Sequence, residues 1–319
     1  MQKRIVVLGG VGFIGSHLCR RLVEEGHELF AVDIRDVTNA PVLREVRRNT
    51  SFHYIHHNIN HPFGIRCDEI YNLAAPSVVH YKKALPVETL RLYMLGSLHA
   101  LDAARNERAR ILFGSTGSLC RNQPSACSTP ITTARVVSDG KCAAEALHRA
   151  YHAEFGVDTR IARIYNTYGS GADLMDQRVV MKLVVAALQN RELVIEGSGE
   201  QQRTFCWVGD VVDGLIRLMA APSTSTPRVV NFGGDRAISI RALAELILSL
   251  TGSRSRIVHV EGRTEEVRRR LPDLTAAADE LGWRPHTSLE EGLKQTIRYV
   301  EHALGQRSAS YLSWVEINN

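Results

Sequence analysis

The 319-residue chain contains no apolar run long enough to span a bilayer, and no charged-then-apolar leader opens it. Residues 4–8 (RIVVL) stand near the start instead and read as a buried strand. None of the six cysteines (Cys19, Cys67, Cys120, Cys127, Cys142, Cys206) forms a CxxC pair, so free thiols in a reducing cytoplasm are expected rather than a disulfide framework. Aromatics amount to only 6%, and no aromatic-basic platform is present, which argues against a nucleic-acid partner. The net charge of +5 is mild and is met equally well by phosphate-bearing small molecules. What remains is an ordinary soluble composition, 44% hydrophobic and 23% charged, long enough for two modest domains.

The pattern along the first half alternates strand and helix. After the strand at 4–8 comes GGVGFIGS, then an amphipathic stretch from His17 to Glu25 ending at Gly26. Strands are expected at Glu28–Val32, Phe52–Ile55, Glu69–Leu73, Arg110–Phe113 and Asp158–Arg163, with helices over about 87–105 and Ser138–Phe155. That alternation predicts an α/β fold, a doubly wound parallel sheet of the Rossmann type. Beyond Tyr168 the pattern turns irregular, with glycine turns at 169–171 and 197–199, and a smaller substrate domain is placed there. Helices at Val211–Met219 and Ile240–Leu250 flank a strand at Val229–Phe232, and Pro222–Pro227 reads as a surface loop. The expected division is 1–165 for the nucleotide-binding domain, with 205–235 returning to it, and 166–204 with 236–319 for the smaller one.

Gly9, Gly12 and Gly15 have GxxGxxG spacing between a strand and a helix. The first glycine permits the tight turn, the second lets a pyrophosphate approach the backbone, and the third lets helix and strand pack closely. Asp33 ends the second strand, within reach of an adenosine ribose, and its charge favours NAD over NADP. Arg35 is the one counter-signal. His53, His56, His57 and His61 resemble a metal cluster in composition, but their spacing and carboxylate support are poor, and no metal is expected.

These motifs, with NLAAP (72–76), RIYNTYG (163–169), RVV (178–180), QQRTFCWVGDVVDGLIRLM (201–219) and ELGWRP (280–285), resemble the extended short-chain dehydrogenase/reductases, and within them the UDP-glucuronate decarboxylases. The likeness runs from Arg4 to about Tyr299. It implies NAD as cofactor, a UDP-sugar such as UDP-glucuronate as substrate, and hydride cycling at the sugar 4-position. Cofactor contacts implied are Gly9, Gly12, Phe13, Ile14, Gly15, Asp33, Asn58, Ile59, Leu73, Ala74, Ala75 and Lys141. Asn166, Arg178, Arg203 and Arg269 match substrate-side positions, with guanidinium groups suited to phosphate. The family also implies a homodimer on the helices at 87–105 and 138–155, with Leu92, Leu95, Leu98 and Leu147 as apolar contacts.

One position departs from the family. SDGKCAAEAL (138–147) matches the stretch around the catalytic lysine, so Lys141 is its counterpart, but Val137 stands where YxxxK has its tyrosine. No tyrosine lies between Tyr93 and Tyr151, and Ser138 is turned about 100° away on a helix. The neighbouring segment, STGSLCR at 115–121, keeps Ser115 and Thr116 but has Ser118 at the acidic position and Cys120 at the tyrosine position. Tyr93 replaces the family's asparagine. Thr116, Ser118 and Lys141 are the catalytic candidates. The reading is an NAD-dependent nucleotide-sugar enzyme with an altered base; the alternatives are a catalytically silent NAD- and UDP-sugar-binding homologue acting as sensor or partner subunit, or a UDP-sugar epimerase or dehydratase.

Overall fold

The computed structural model describes residues 1–76, 86–117, 133–262 and 269–318, with backbone alone at 133–135, 269–270 and 306–318. The chain divides into two compact units, one of Met1–Tyr165, Gly209–Gly233 and Pro272–Arg284, the other of Asn166–Val208, Gly234–Leu271 and Pro285–Asn319.

In the first unit β1 (Arg4–Leu8), α1 (Phe13–Glu24), β2 (Glu28–Asp33), β3 (Phe52–His56), β4 (Glu69–Asn72), α2 (Pro86–Glu107), β5 (Arg110–Thr116), α3 (Thr133–Phe155) and β6 (Thr159–Ile164) follow in chain order. Three short 3-10 turns bridge β2 and β3. Further along, β7 (Thr167–Tyr168), α4 (Val179–Leu188), β8 (Leu193–Glu196), β9 (Gln202–Thr204) and β10 (Cys206–Trp207) precede α5 (Val208–Ala220) and β11 (Arg228–Phe232). Strand β11 returns to the first sheet, giving seven strands in the order β11-β6-β5-β4-β1-β2-β3. All its pairings are parallel. Ile5, Val6, Val7 and Leu8 are fully buried, as expected where helices cover both faces of a parallel sheet. The strand order reverses between β1 and β4, and the open crevice at the carboxyl ends of such neighbours is where α/β sheets bind ligands.

Residues 272–284 belong to this unit through Trp283. Its ring packs edge-on to Phe232 at 5.0 Å, and its indole N–H donates to the Asp210 carbonyl at 2.9 Å. The ELGWRP motif therefore has a packing role.

The second unit adds β12 (Ala237–Ser239), α6 (Ile240–Thr251), β13 (Ile257–Val260) and β14 (Arg269–Arg270); α7 (Thr275–Leu281) belongs to the first unit, and α8 (Leu289–Asn318) to the second. Its sheets are small: β12-β9-β14, β13-β8 and β10-β7. Helix α6 is well specified locally, with Ser239 accepting from the Ala242 N–H at its start and Gly252 in the left-handed conformation at its end.

Two helices differ from the sequence expectation at their starts, α1 beginning at Phe13 and α3 at Thr133. Helix α4 falls in the stretch beyond Tyr168 whose sequence pattern is irregular. Its VVMKLVVAAL buries Val180, Met181, Leu183, Val184, Val185, Ala186 and Ala187, so it carries no polar stripe from which a 3.6-residue period is legible. No helix among the described residues is long and apolar enough to cross a membrane.

Candidate active site

At the end of β1, Gly9 takes φ +78°, a conformation costly to any residue with a Cβ. A Cβ there would also lie 2.9 Å from the Ala74 backbone, because the Leu73 N–H donates to the Leu8 carbonyl and holds the ends of β1 and β4 together. Gly12 caps α1 with extended backbone and no side-chain acceptor, and no acidic residue occupies the first turn. The N–H groups of Phe13, Ile14 and Gly15 thus lie at a positive helix end. A Cβ on Gly15 would sit 2.1 Å from the Gly9 carbonyl oxygen, so only glycine lets α1 press onto the turn.

Asp33 is 8% exposed. One carboxylate oxygen accepts the Val11 N–H at 3.0 Å and the other the Arg35 N–H at 3.0 Å, so the residue expected at the ribose also fixes the glycine turn. Leu73, Ala74 and Ala75 follow β4 beside Gly9. Asn58 accepts from the Asn60 N–H at 3.0 Å, and the Ile59 side chain is buried against Gly96 while its carbonyl meets the His99 ring nitrogen at 3.0 Å.

The second cluster lies at the end of β5 and along α3. Lys141 donates to the Gly114 carbonyl at 2.8 Å, and burial brings its pKa down to about 8 against the opposing charge of Glu145. Glu145, one turn further on, accepts from Ser115 Oγ at 2.6 Å and from Arg163 at 2.9 and 2.7 Å. Thr116 closes β5 opposite Ile164, and at Gly117 a Cβ would meet the Tyr165 ring at 2.4 Å. Val137 sits four residues before Lys141 and packs with Tyr93, Phe113 and Ala144. The Tyr93 ring lies over Gly140, where a Cβ would approach it to 2.8 Å, with its centroid 5.5 Å from the Lys141 ammonium. Ser118, Cys120 and Cys127 fall outside the described residues.

Sequence reasoning overlooked Glu145 and Arg163. The i,i+4 spacing of Lys141 and Glu145 was a usable signal for the first; Arg163 lies on another element and had none. His148 was also missed. It is fully buried, stacked on Phe113 at 4.7 Å, and its Nδ1 donates to the Ala144 carbonyl at 2.8 Å. Burial drives its pKa down to about 4.

In the second unit Asn166, Gln177, Lys182, Arg203 and Phe205 line a cavity of about 270 Å³. A smaller one, about 140 Å³, is bordered by Asn166, Asp176, Arg178 and Phe205. Asn166 donates to the Thr204 carbonyl at 3.1 Å, which fixes its amide. Arg178 is held by buried Asp176, at 2.7 Å from its Nε. Arg269 pairs through its backbone with Gln202, which brings β14 beside Arg203; its side chain lies outside the described residues. Among the described residues no group of three or more His, Cys, Asp or Glu side chains is placed to hold a metal, and His53 instead lies 3.4 Å from Glu28.

Residues 6–296 match the family model described as GDP-mannose 4,6 dehydratase. The chain belongs to this epimerase–dehydratase family. It is similar to UDP-glucuronic acid decarboxylase 1 of Danio rerio, 36% identical over 95% of this chain and 74% of that protein. UDP-glucuronic acid decarboxylase 5 of Arabidopsis thaliana is likewise 36% identical, over 92% of this chain and 87% of its own length. Among solved structures, UDP-glucose 4-epimerase of Thermotoga maritima, determined with UDP-glucose, superposes with a TM-score of 0.80 at 27% identity, covering 94% of this chain and 99% of that one.

Proposed function

We propose that the chain is an NAD-dependent enzyme acting on a UDP-sugar, of the UDP-glucuronate decarboxylase kind, and that it works without the family's tyrosine. The observation that carries this reading is the retained lysine. Lys141 is anchored to the Gly114 carbonyl on the strand that ends in Thr116, in the same unit as a complete dinucleotide turn. The cofactor is NAD, held by Gly9, Gly12, Gly15 and the first N–H groups of α1, with Asp33 on the ribose hydroxyls. Bound NAD supplies the hydride acceptor and donor for the sugar 4-position. In the second unit Asn166, Arg178, Arg203 and Arg269 serve the nucleotide diphosphate.

The proton on the sugar 4-hydroxyl has no phenolate to go to at Val137. A lysine with pKa about 8 is neutral in roughly a tenth of molecules at pH 7, and its lone pair is then a proton acceptor. Thr116 positions the hydroxyl, and burial of Lys141 outweighs the opposing charge of Glu145, which pairs with Arg163. Turnover on this account rises tenfold per pH unit below 8 and levels off above it. NAD-loaded protein given UDP-glucuronate is expected to release carbon dioxide about 10²–10⁴ times more slowly than a tyrosine-bearing homologue. Binding of both ligands with no turnover at any pH would contradict the enzymatic reading.

The apolar packing of Val137 against Tyr93 favours a second reading, a silent NAD- and UDP-sugar-binding homologue. A homodimer through α2 and α3 goes with either. Leu92, Leu98 and Leu147 pack inward, whereas Val87, Leu90, Met94 and Leu95 are exposed on α2 and are the residues to cover. Sedimentation should give a dimer at micromolar concentration; a monomer there would contradict it.

A further inference from the structure

Arg35 stands between the Asp33 carboxylate and the glycine turn, on the edge of the expected adenosine end. Its Nε is 3.6 Å from the Asp33 carboxylate, and a terminal guanidinium nitrogen is 3.7 Å from where a Cβ on Gly12 would stand. The side chain thus reaches from the ribose-binding carboxylate towards the glycine turn. Its backbone is held at both ends, the N–H by Asp33 at 3.0 Å and the carbonyl by the Tyr54 hydroxyl at 2.8 Å. The Tyr54 oxygen in turn lies 3.1 Å from His56 Nδ1. Asp36, the nearest other acid on this loop, accepts from the Thr38 N–H at 2.8 Å and from its hydroxyl.

The preference for NAD rests on Asp33 repelling a 2′-phosphate. Here that carboxylate is buried, accepts two backbone N–H groups, and faces a guanidinium that offsets its charge. Each carboxylate oxygen has a second lone pair for a ribose hydroxyl, so NAD is still served. The guanidinium remains 38% exposed and carries donors suited to a phosphate dianion.

We propose that Arg35 makes the adenosine end of the site permissive, so that this chain binds the 2′-phosphorylated dinucleotide NADP(H) as well as NAD(H). The inference rests on the dinucleotide reading of the glycine turn. NADP binding depends on Arg35, whereas NAD binding does not, because NAD presents no phosphate at the 2′ position.

Calorimetry of the full chain with NAD⁺ and NADP⁺ at low ionic strength tests it, with thermal shift as a second readout. The wild type should bind NADP⁺ with a Kd within tenfold of that for NAD⁺. Arg35→Ala and Arg35→Gln should each weaken NADP⁺ at least tenfold and change NAD⁺ by less than threefold. A wild-type preference for NAD⁺ above tenfold overturns the proposal. So does an equal loss of both ligands in the variants, which would place the guanidinium on the shared diphosphate. If the wild type binds neither dinucleotide, the glycine-turn reading itself fails, and that result is distinct from selective rejection of NADP⁺.

Discussion

The turn after β1 and the floor formed by β5 and α3 belong to the same unit, yet they stand differently to their chemistry. At the turn the geometry is set by backbone and braced by the Asp33 carboxylate: positive φ at Gly9, the first N–H groups of α1 after Gly12, close approach at Gly15, and the Val11 and Arg35 N–H groups on Asp33. Side-chain substitutions elsewhere scarcely disturb such a site. The floor depends on side-chain functional groups instead, and there Val137 packs in an apolar cluster with Tyr93, whose ring lies by the Lys141 ammonium.

The largest effect expected from the floor is on acid stability. His148 is held as the neutral tautomer, with Nδ1 donating to Ala144 and Nε2 buried without a partner among the described residues. Its folded pKa, about 4, lies below the ordinary 6.5, so the unfolded state binds the proton first as pH falls. Stability is full above pH 6.5 and declines to a floor near pH 4, by about 3 kcal/mol in all. His148→Phe should flatten that limb of the stability–pH curve while leaving NAD affinity unchanged. An unaltered acid limb would show that other groups carry it.

At the turn, Asp33→Ala should cost about 1.5–3 kcal/mol of NAD affinity, since a charged acceptor for the ribose is lost. Asp33 also holds the Val11 N–H, so the variant should loosen the turn as well as the ribose contact. Equal calorimetric affinity in wild type and variant would remove Asp33 from the site and break the contrast drawn between the two regions.

The same contrast governs what was legible in the sequence. Glycine spacing is a backbone requirement written directly in residue identity, and β2 ending on Asp33 follows from a run of apolar residues with one acid after it. The floor is assembled from elements far apart in the chain: Ser115 and Arg163 meet at Glu145 through the pairing of β5 with β6 and the docking of α3. No local pattern announces that. Helix α3 starts at Thr133 rather than the expected Ser138, and its first turn already buries Val136. Helix α4 escaped because burial on nearly every side leaves no periodic stripe.

If the chain is a nucleotide-sugar enzyme that lacks one functional group, restoring that group raises its turnover. Val137→Tyr places a phenol one helical turn before Lys141, whose ammonium then stabilises the phenolate and lowers its pKa. Because the Tyr93 ring already packs against Val137, the variant is best paired with Tyr93→Asn to clear the space. Carbon dioxide release from UDP-glucuronate should rise about 10²-fold or more over the wild type. A wild type that turns over briskly and is slowed by the substitution would mean that another base has taken over, and the account of a missing group would be wrong.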